Sequence, residues 1–259
     1  MSGDPVPDLS SARRLVSDLF HAGVAATAGD TRVAAFLAND TATGPVSVVA
    51  LGKAASAMAS GATVALGKRL HRGLLVTKPG HSSPQLQQDR RFTCLEAGHP
   101  VPDRRSLEAG RRLLQFMAET PEGGPLLFLI SGGTSSLVEV LGDSADADSL
   151  HRLNHWLLGS GLDIFGVNGV RRRLSMLKDG RLAAALRGHP VLALYLSDVE
   201  GDDPAWIGSG LLSRAKSALP SGLPDWLVTL IHSGPPPGLP TPPVESHVVG
   251  NLARALDAR

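Results

Sequence analysis

The sequence predicts an α/β fold, a doubly wound, mostly parallel sheet with helices on both faces in a Rossmann-like three-layer sandwich. Three observations predict it. Val46 to Leu51, Leu126 to Ile130 and Val191 to Leu196 are apolar at nearly every position, as strands buried on both faces must be. Longer amphipathic stretches separate them, which parallel strands need as crossovers. The chain has 259 residues, of which 42% are hydrophobic, enough to bury a substantial core.

The elements follow in order. Ser10 to Ala28 reads as a helix with Leu15, Leu19 and Val24 on one side. The β-branched run Val46 to Leu51 precedes a helix from Lys53 to Leu70. Gly73 to Thr77 is a second strand and Arg91 to Leu95 a weaker third. Ser106 to Glu119 reads as a helix with Ser106 as its cap. After the strand Leu126 to Ile130, Ala147 to Leu158 and Leu174 to Leu186 read as helices, and Val191 to Leu196 as a further strand. Residues 1–234 are expected to form this α/β domain. PPPGLPTPP, residues 235–243, can be neither helix nor central strand and reads as a semi-rigid linker. Residues 244–259 are expected to form a short βα tail on the same domain, with Ser246 to Val249 as strand and Asn251 to Ala258 as helix.

Composition bounds the function. Twenty-five Lys+Arg against 24 Asp+Glu give a net charge of +1, which supports neither a nucleic acid nor a membrane partner. Cys94 is the single cysteine, so intramolecular disulfides and multi-cysteine zinc sites are excluded. MSGDPVPDLSS lacks the basic start and apolar run of a secretory leader, and no apolar stretch approaches the roughly 18 residues of a membrane span. A cytoplasmic protein acting on a small-molecule substrate is the expectation.

Ligands of open α/β sheets sit beyond the carboxyl ends of the strands. Polar clusters fall at such positions here. Gly52 and Lys53 follow the first strand; Lys53 would aim an ammonium at phosphate oxygens, or is a plain surface lysine. The spacing is not that of a Walker A loop. Ser131, Gly132, Gly133, Thr134, Ser135 and Ser136 follow the strand Leu126 to Ile130. Glycines there let an anion approach backbone N–H groups at a helix N-terminus, or simply make a tight turn. If the chain is helical from Asn168, then Asn168, Arg171, Ser175 and Lys178 share one face beside an apolar stripe of Val170, Leu174 and Leu177. That face suits an anion or is merely solvated. Asp198 ends a strand, and Asp202 and Asp203 follow. Asp198 and Asp202 can hold Mg²⁺ through waters, or Asp198 can accept a proton, while Asp203 before Pro204 fits a cap. In EAGHPVPD, Glu96 and His99 could orient a ligand, or the prolines only stiffen a turn.

Together and in this order, GKAASAM, EAGHPVPD, LISGGTSSL, N-x-x-R with LSxxKxGRLA, and LSDVxGDDP resemble the large domain of the type-2 glycerate kinases over roughly residues 10 to 210. The resemblance implies ATP-dependent transfer of a phosphoryl group to the 2-hydroxyl of D-glycerate, with Mg²⁺, in a cleft between two domains. It implies Lys53 as the lysine acting on phosphate and Ser131, Gly132, Gly133, Ser135 and Ser136 as the phosphate-cradling loop. Asn168, Arg171 and Lys178 match the polar helix, and Asp198 the base or metal holder. Some members carry a hydroxypyruvate reductase label, but no G-x-G-x-x-G turn for a dinucleotide is present here. The chain departs from the pattern in continuing Ser209–Gly210 with LLSRAKSALP and in having Arg172 and Arg173 where the family has a basic residue and a histidine. The family's smaller second domain has no counterpart in these residues. A homodimer or a separate polypeptide supplying it, with weak or no activity in isolation, is therefore expected. Two other readings stand beside this one: a catalytically degenerate anion- or nucleotide-binding module, and a sugar-phosphate isomerase or lactonase-like enzyme.

Overall fold

The computed structural model describes residues 8–142, 145–186, 188–215, 218–234 and 244–258. The expected linker 235–243 lies outside them. The elements are α1 (Leu9–Ala26), α2 (Gly29–Leu37), β1 (Val46–Leu51), α3 (Ala55–Leu66), β2 (Leu70–Thr77), α4 (Pro84–Gln88), β3 (Phe92–Glu96) and α5 (Arg104–Ala118). They continue with β4 (Leu126–Ser131), α6 (Thr134–Leu137), α7 (Ala147–Gly159), α8 (Ile164–Leu174), α9 (Arg181–Ala184), β5 (Val191–Leu196), α10 (Asp225–His232), β6 (Glu245–Gly250) and α11 (Leu252–Leu256).

Six strands form one sheet in the order β3-β2-β1-β4-β5-β6. Every neighbouring pair runs parallel. Chain order reverses between β1 and β4, and such a switch point opens a crevice beyond the strand ends. The C-terminal strand β6 pairs with β5, so the βα tail joins the same sheet.

Alternation along the strands builds two cores. Val49, Leu51, Phe128 and Ile130 face one layer, where Leu113 and Phe116 of α5 and Leu182 of α9 cover them. Val48, Ala50, Leu127 and Leu129 face the other, under Val33 and Leu37 of α2 and Met58 and Ala62 of α3. A satellite cluster joins α7, α8 and α10 through Leu153, Leu157, Val170, Leu174 and Leu227.

Four local expectations are corrected. Leu15, Leu19 and Val24 of α1 do not face a core; they are exposed, and Gly23 is the residue of α1 that is buried. The cap of α5 is Asp103, whose carboxylate accepts from the N–H groups of Arg105 and Ser106, while Ser106 closes the reciprocal half of the capping box. The helix from Asn168 does not run to Lys178. It ends at Leu174, and Ser175 turns extended, its hydroxyl accepting from the N–H groups of Leu177 and Lys178. Helix resumes in α9 at Arg181, so Asn168, Arg171, Ser175 and Lys178 share no helical face. Asp203 caps a turn instead of a regular helix, accepting from Ala205 N–H at 2.9 Å.

Among the described residues, no helix is long and apolar enough to cross a membrane.

Candidate active site

The carboxyl ends of β1, β4 and β5 meet at one rim. Hydrogen bonds lace the first two together. Lys53 N–H donates to Gly132 O at 2.9 Å, Ala54 N–H donates to Ser131 Oγ at 3.1 Å, and Ser131 Oγ donates to Leu51 O at 3.3 Å. Asp198, just beyond β5, closes the third side. Its Oδ2 lies 3.2 Å from Lys53 Nζ.

The two glycines of the β4 turn are required by close approach. A Cβ on Gly132 would lie 1.9 Å from Asp198 Oδ2. A Cβ on Gly133, whose φ is 87°, would lie 2.9 Å from the His99 ring and 3.0 Å from Lys53 Cγ. Lys53, His99 and Asp198 therefore pack directly against backbone that carries no side chain, a close approach that glycine permits. Above this floor opens a cleft of about 380 Å³, lined among others by Lys53, Ser131, Gly132, Asp198 and Asn251, with Leu252 and Ala255 of α11 as an apolar wall.

The Lys53 and Asp198 side chains remain 43% and 54% exposed. A pair that exposed contributes at most about 1 kcal/mol to folding, so stability does not explain its placement. Burial, then the positive charges of Lys53 and Lys78, hold the His99 pKa below the ordinary histidine value, with Asp198 opposing. These surroundings favour the uncharged imidazole.

The hydroxyls of the turn are spent on the fold. Thr134 Oγ1 donates to Ser131 O at 2.7 Å, Ser136 Oγ donates to Gly133 O at 3.1 Å, and Ser135 Oγ lies 2.8 Å from Ser209 Oγ. The helix that follows, α6, has four residues and little macrodipole to offer. The turn's hydroxyls are thus engaged within the fold, and Lys53 is the cation at this rim.

The remaining predicted residues stand apart from the cleft floor. Glu96 Oε1 accepts from Gly80 and Ser82 N–H at 3.1 and 3.3 Å, bracing the loop before α4. Asn168 is buried, its Oδ1 accepting from Ser209 Oγ. Arg171 donates to Asn154 Oδ1 at 2.9 Å and lines a small separate recess with Ser135 and Glu139. Lys178 is fully buried and ion-paired with Glu139. Burial drives its pKa down and Glu139 pulls it back up. Asp202 accepts from Asn251 Nδ2, which leaves Asp198 as the more accessible carboxylate. Among the described residues, no three His, Cys, Asp or Glu side chains gather around one point. Mg²⁺ needs no such nest, since one or two carboxylates suffice when phosphate and water complete its shell.

Glu139 and Asn154 were missed in the sequence. Glu139 had a signal, a lone carboxylate inside the apolar run Leu137 to Leu141, which must be buried with a partner. Asn154 had none.

A parallel sheet with a glycine-floored, lysine-bearing cleft at its switch point defines an α/β domain of the open, doubly wound class. The family described as Domain of unknown function (DUF4147) matches residues 15–221, and the chain belongs to it. The chain is 37% identical over 222 residues to a D-glycerate 2-kinase from Thermotoga maritima, covering 82% of this chain and 52% of that one. It is 36% identical over 167 residues to a glycerate 2-kinase from Pyrococcus horikoshii, covering 64% of this chain and 36% of that one. Its fold is similar to a crystal structure of glycerate kinase from Thermotoga maritima, with a TM-score of 0.81, 33% identity, and 96% of this chain and 61% of that one covered. The chain thus spans about half the length, or less, of these curated relatives.

Proposed function

We propose that this chain carries the phosphate-binding half of an ATP-dependent D-glycerate 2-kinase, in the cytoplasm. The observation that carries the reading is the meeting of Lys53, the bare Gly132–Gly133 backbone and Asp198 at one strand-end rim. Likeness to proteins named D-glycerate 2-kinase and glycerate kinase supports it.

Phosphoryl transfer asks a protein mainly to position groups and neutralise charge. Lys53 supplies the positive charge opposite the transferring phosphoryl oxygens. The N–H groups of the 132–135 turn hold those oxygens in place. Asp198 accepts the proton that leaves the acceptor hydroxyl. His99, beside Gly133, contacts the acceptor from the other side of the turn. Bound Mg²⁺ would neutralise further phosphate charge, held by Asp198 and, once freed from Asn251, Asp202. Arg171 and Asn168 sit behind Ser135 rather than in the cleft, and Lys178 takes no part in binding.

Coupled ADP release with D-glycerate and Mg–ATP tests the reading, with the phosphorylated position fixed by ³¹P NMR. Weak turnover to the 2-phosphate, well below that of a full-length relative, is expected. Lys53→Ala should lower it about 100-fold or more, the size of one lost electrostatic contact to a transition state, with the melting temperature unchanged. Mg–ATP binding without turnover would make the chain a binding module. Turnover of a sugar phosphate without ATP would make it an isomerase or lactonase.

A further inference from the structure

We infer that the segment Ile207–Gly210 is a strap that fixes the glycine turn, with Ser209 and Asn168 as positioning residues and the Ser135 hydroxyl as the part they hold. This rests on the proposed reading for its consequence in ligand binding, though not for its geometry.

Five observations converge. Gly208, Ser209 and Gly210 all adopt left-handed backbone, with φ of 60°, 61° and 70°. A non-glycine residue there is disfavoured and persists when its surroundings determine it. Ser209 is 1% exposed, so solvent is not what holds it. Its Oγ meets two partners, Ser135 Oγ at 2.8 Å and Asn168 Oδ1 at 3.1 Å. Gly208 lies against the same turn, since a Cβ on it would sit 3.2 Å from Thr134 Cβ. The strap is itself tied down, as Gly180 N–H donates to Gly210 O at 2.8 Å.

Hydrogen-bond direction follows from the donor inventory. An amide oxygen accepts and cannot donate. Ser209 Oγ–H is therefore committed to Asn168 Oδ1, and the Ser209–Ser135 contact must take its proton from Ser135. The Ser135 hydroxyl thus turns its hydrogen toward Ser209. What Ser135 offers a phosphate is its backbone N–H, and the chain Ser135–Ser209–Asn168 sets where that N–H stands. Asn168 acts on the ligand through two hydroxyls, not by contact.

Ser209→Gly is the informative variant, because glycine adopts this backbone freely and the fold is kept. Two readouts are taken on the full chain. In ligand-free protein, amide hydrogen exchange across 132–136 should rise about tenfold, the size of one lost hydrogen bond, with β4 itself unchanged. By calorimetry, Mg–ATP affinity should fall by about the same factor. The Ser135→Ala/Ser209→Gly double variant should bind no more weakly than Ser135→Ala, since both act on one link. Unchanged exchange overturns the strap whether or not nucleotide binds. Altered exchange with unaltered affinity, or additive losses in the double variant, overturns the positioning role. Failure of the wild-type chain to bind Mg–ATP would instead sink the kinase reading, and exchange alone would then decide the strap.

Discussion

Lys53 and Lys178 are both lysines beside a carboxylate, and their surroundings give them opposite work. Lys53 is half exposed at a cleft, where its charge remains available. Lys178 is fully buried against Glu139, which also accepts from Ser175 Oγ. Removing one partner of a buried pair leaves an uncompensated charge, which costs about 3–5 kcal/mol. Lys178→Met should therefore lower unfolding stability by that amount in urea titrations. Combining it with Glu139→Gln, which keeps an acceptor for Ser175, should restore most of the loss.

His99 gives a pH prediction at the same scale. Its folded pKa lies below the ordinary 6.5 because burial and two lysines disfavour the imidazolium. As pH falls below 6.5 the unfolded chain takes up this proton first, so stability is present above that pH and declines beneath it. Between pH 7 and pH 5, wild type should lose more stability than His99→Gln, as read by the urea midpoint. Equal losses would show that His99 carries no such linkage.

At the scale of elements, the β4 turn is the joint on which the site depends. Ser131 Oγ satisfies Ala54 N–H and bonds Leu51 O, so Ser131→Ala should cost about 1–3 kcal/mol by stranding buried backbone groups. Gly132→Ala should leave the strands folded yet displace Asp198, whose carboxylate occupies the space of the new methyl. Its far-ultraviolet spectrum should match wild type while anion binding is lost. This turn was readable in the sequence because two adjacent glycines after an apolar strand admit few other structures. The three nearly all-apolar strands were readable for the same reason, since burial on both faces leaves one pattern. The helix α2, GDTRVAAFL, was not, because nine residues carry too few turns to establish a period. The break after Leu174 was hidden too. Ser175 leaves the helix to satisfy two amides and Glu139, and Glu139 is 36 residues away in the chain. The apolar stripe read on α1 failed for a different reason, since periodicity reports a helix without saying what it faces.

Across the whole molecule, connectivity brings the chemistry together. Lys53, Gly132 and Asp198 are separated by 79 and 66 residues in the chain. They meet because β1, β4 and β5 are neighbours running the same way. Parallel pairing puts every carboxyl end at one edge, so residues that each follow a strand converge there without any local signal linking them. That edge could be foreseen from the strand pattern; which hydroxyls would be consumed by the turn, and which lysine would be buried, depended on tertiary packing.

Calorimetric titration of Mg–ATP into the wild-type chain and into Lys53→Ala tests the central claim most directly. The convergence at the sheet rim predicts binding by wild type and an affinity at least about tenfold weaker in the variant, as loss of one charge-assisted contact implies. Equal affinity of the two proteins for the nucleotide would contradict it.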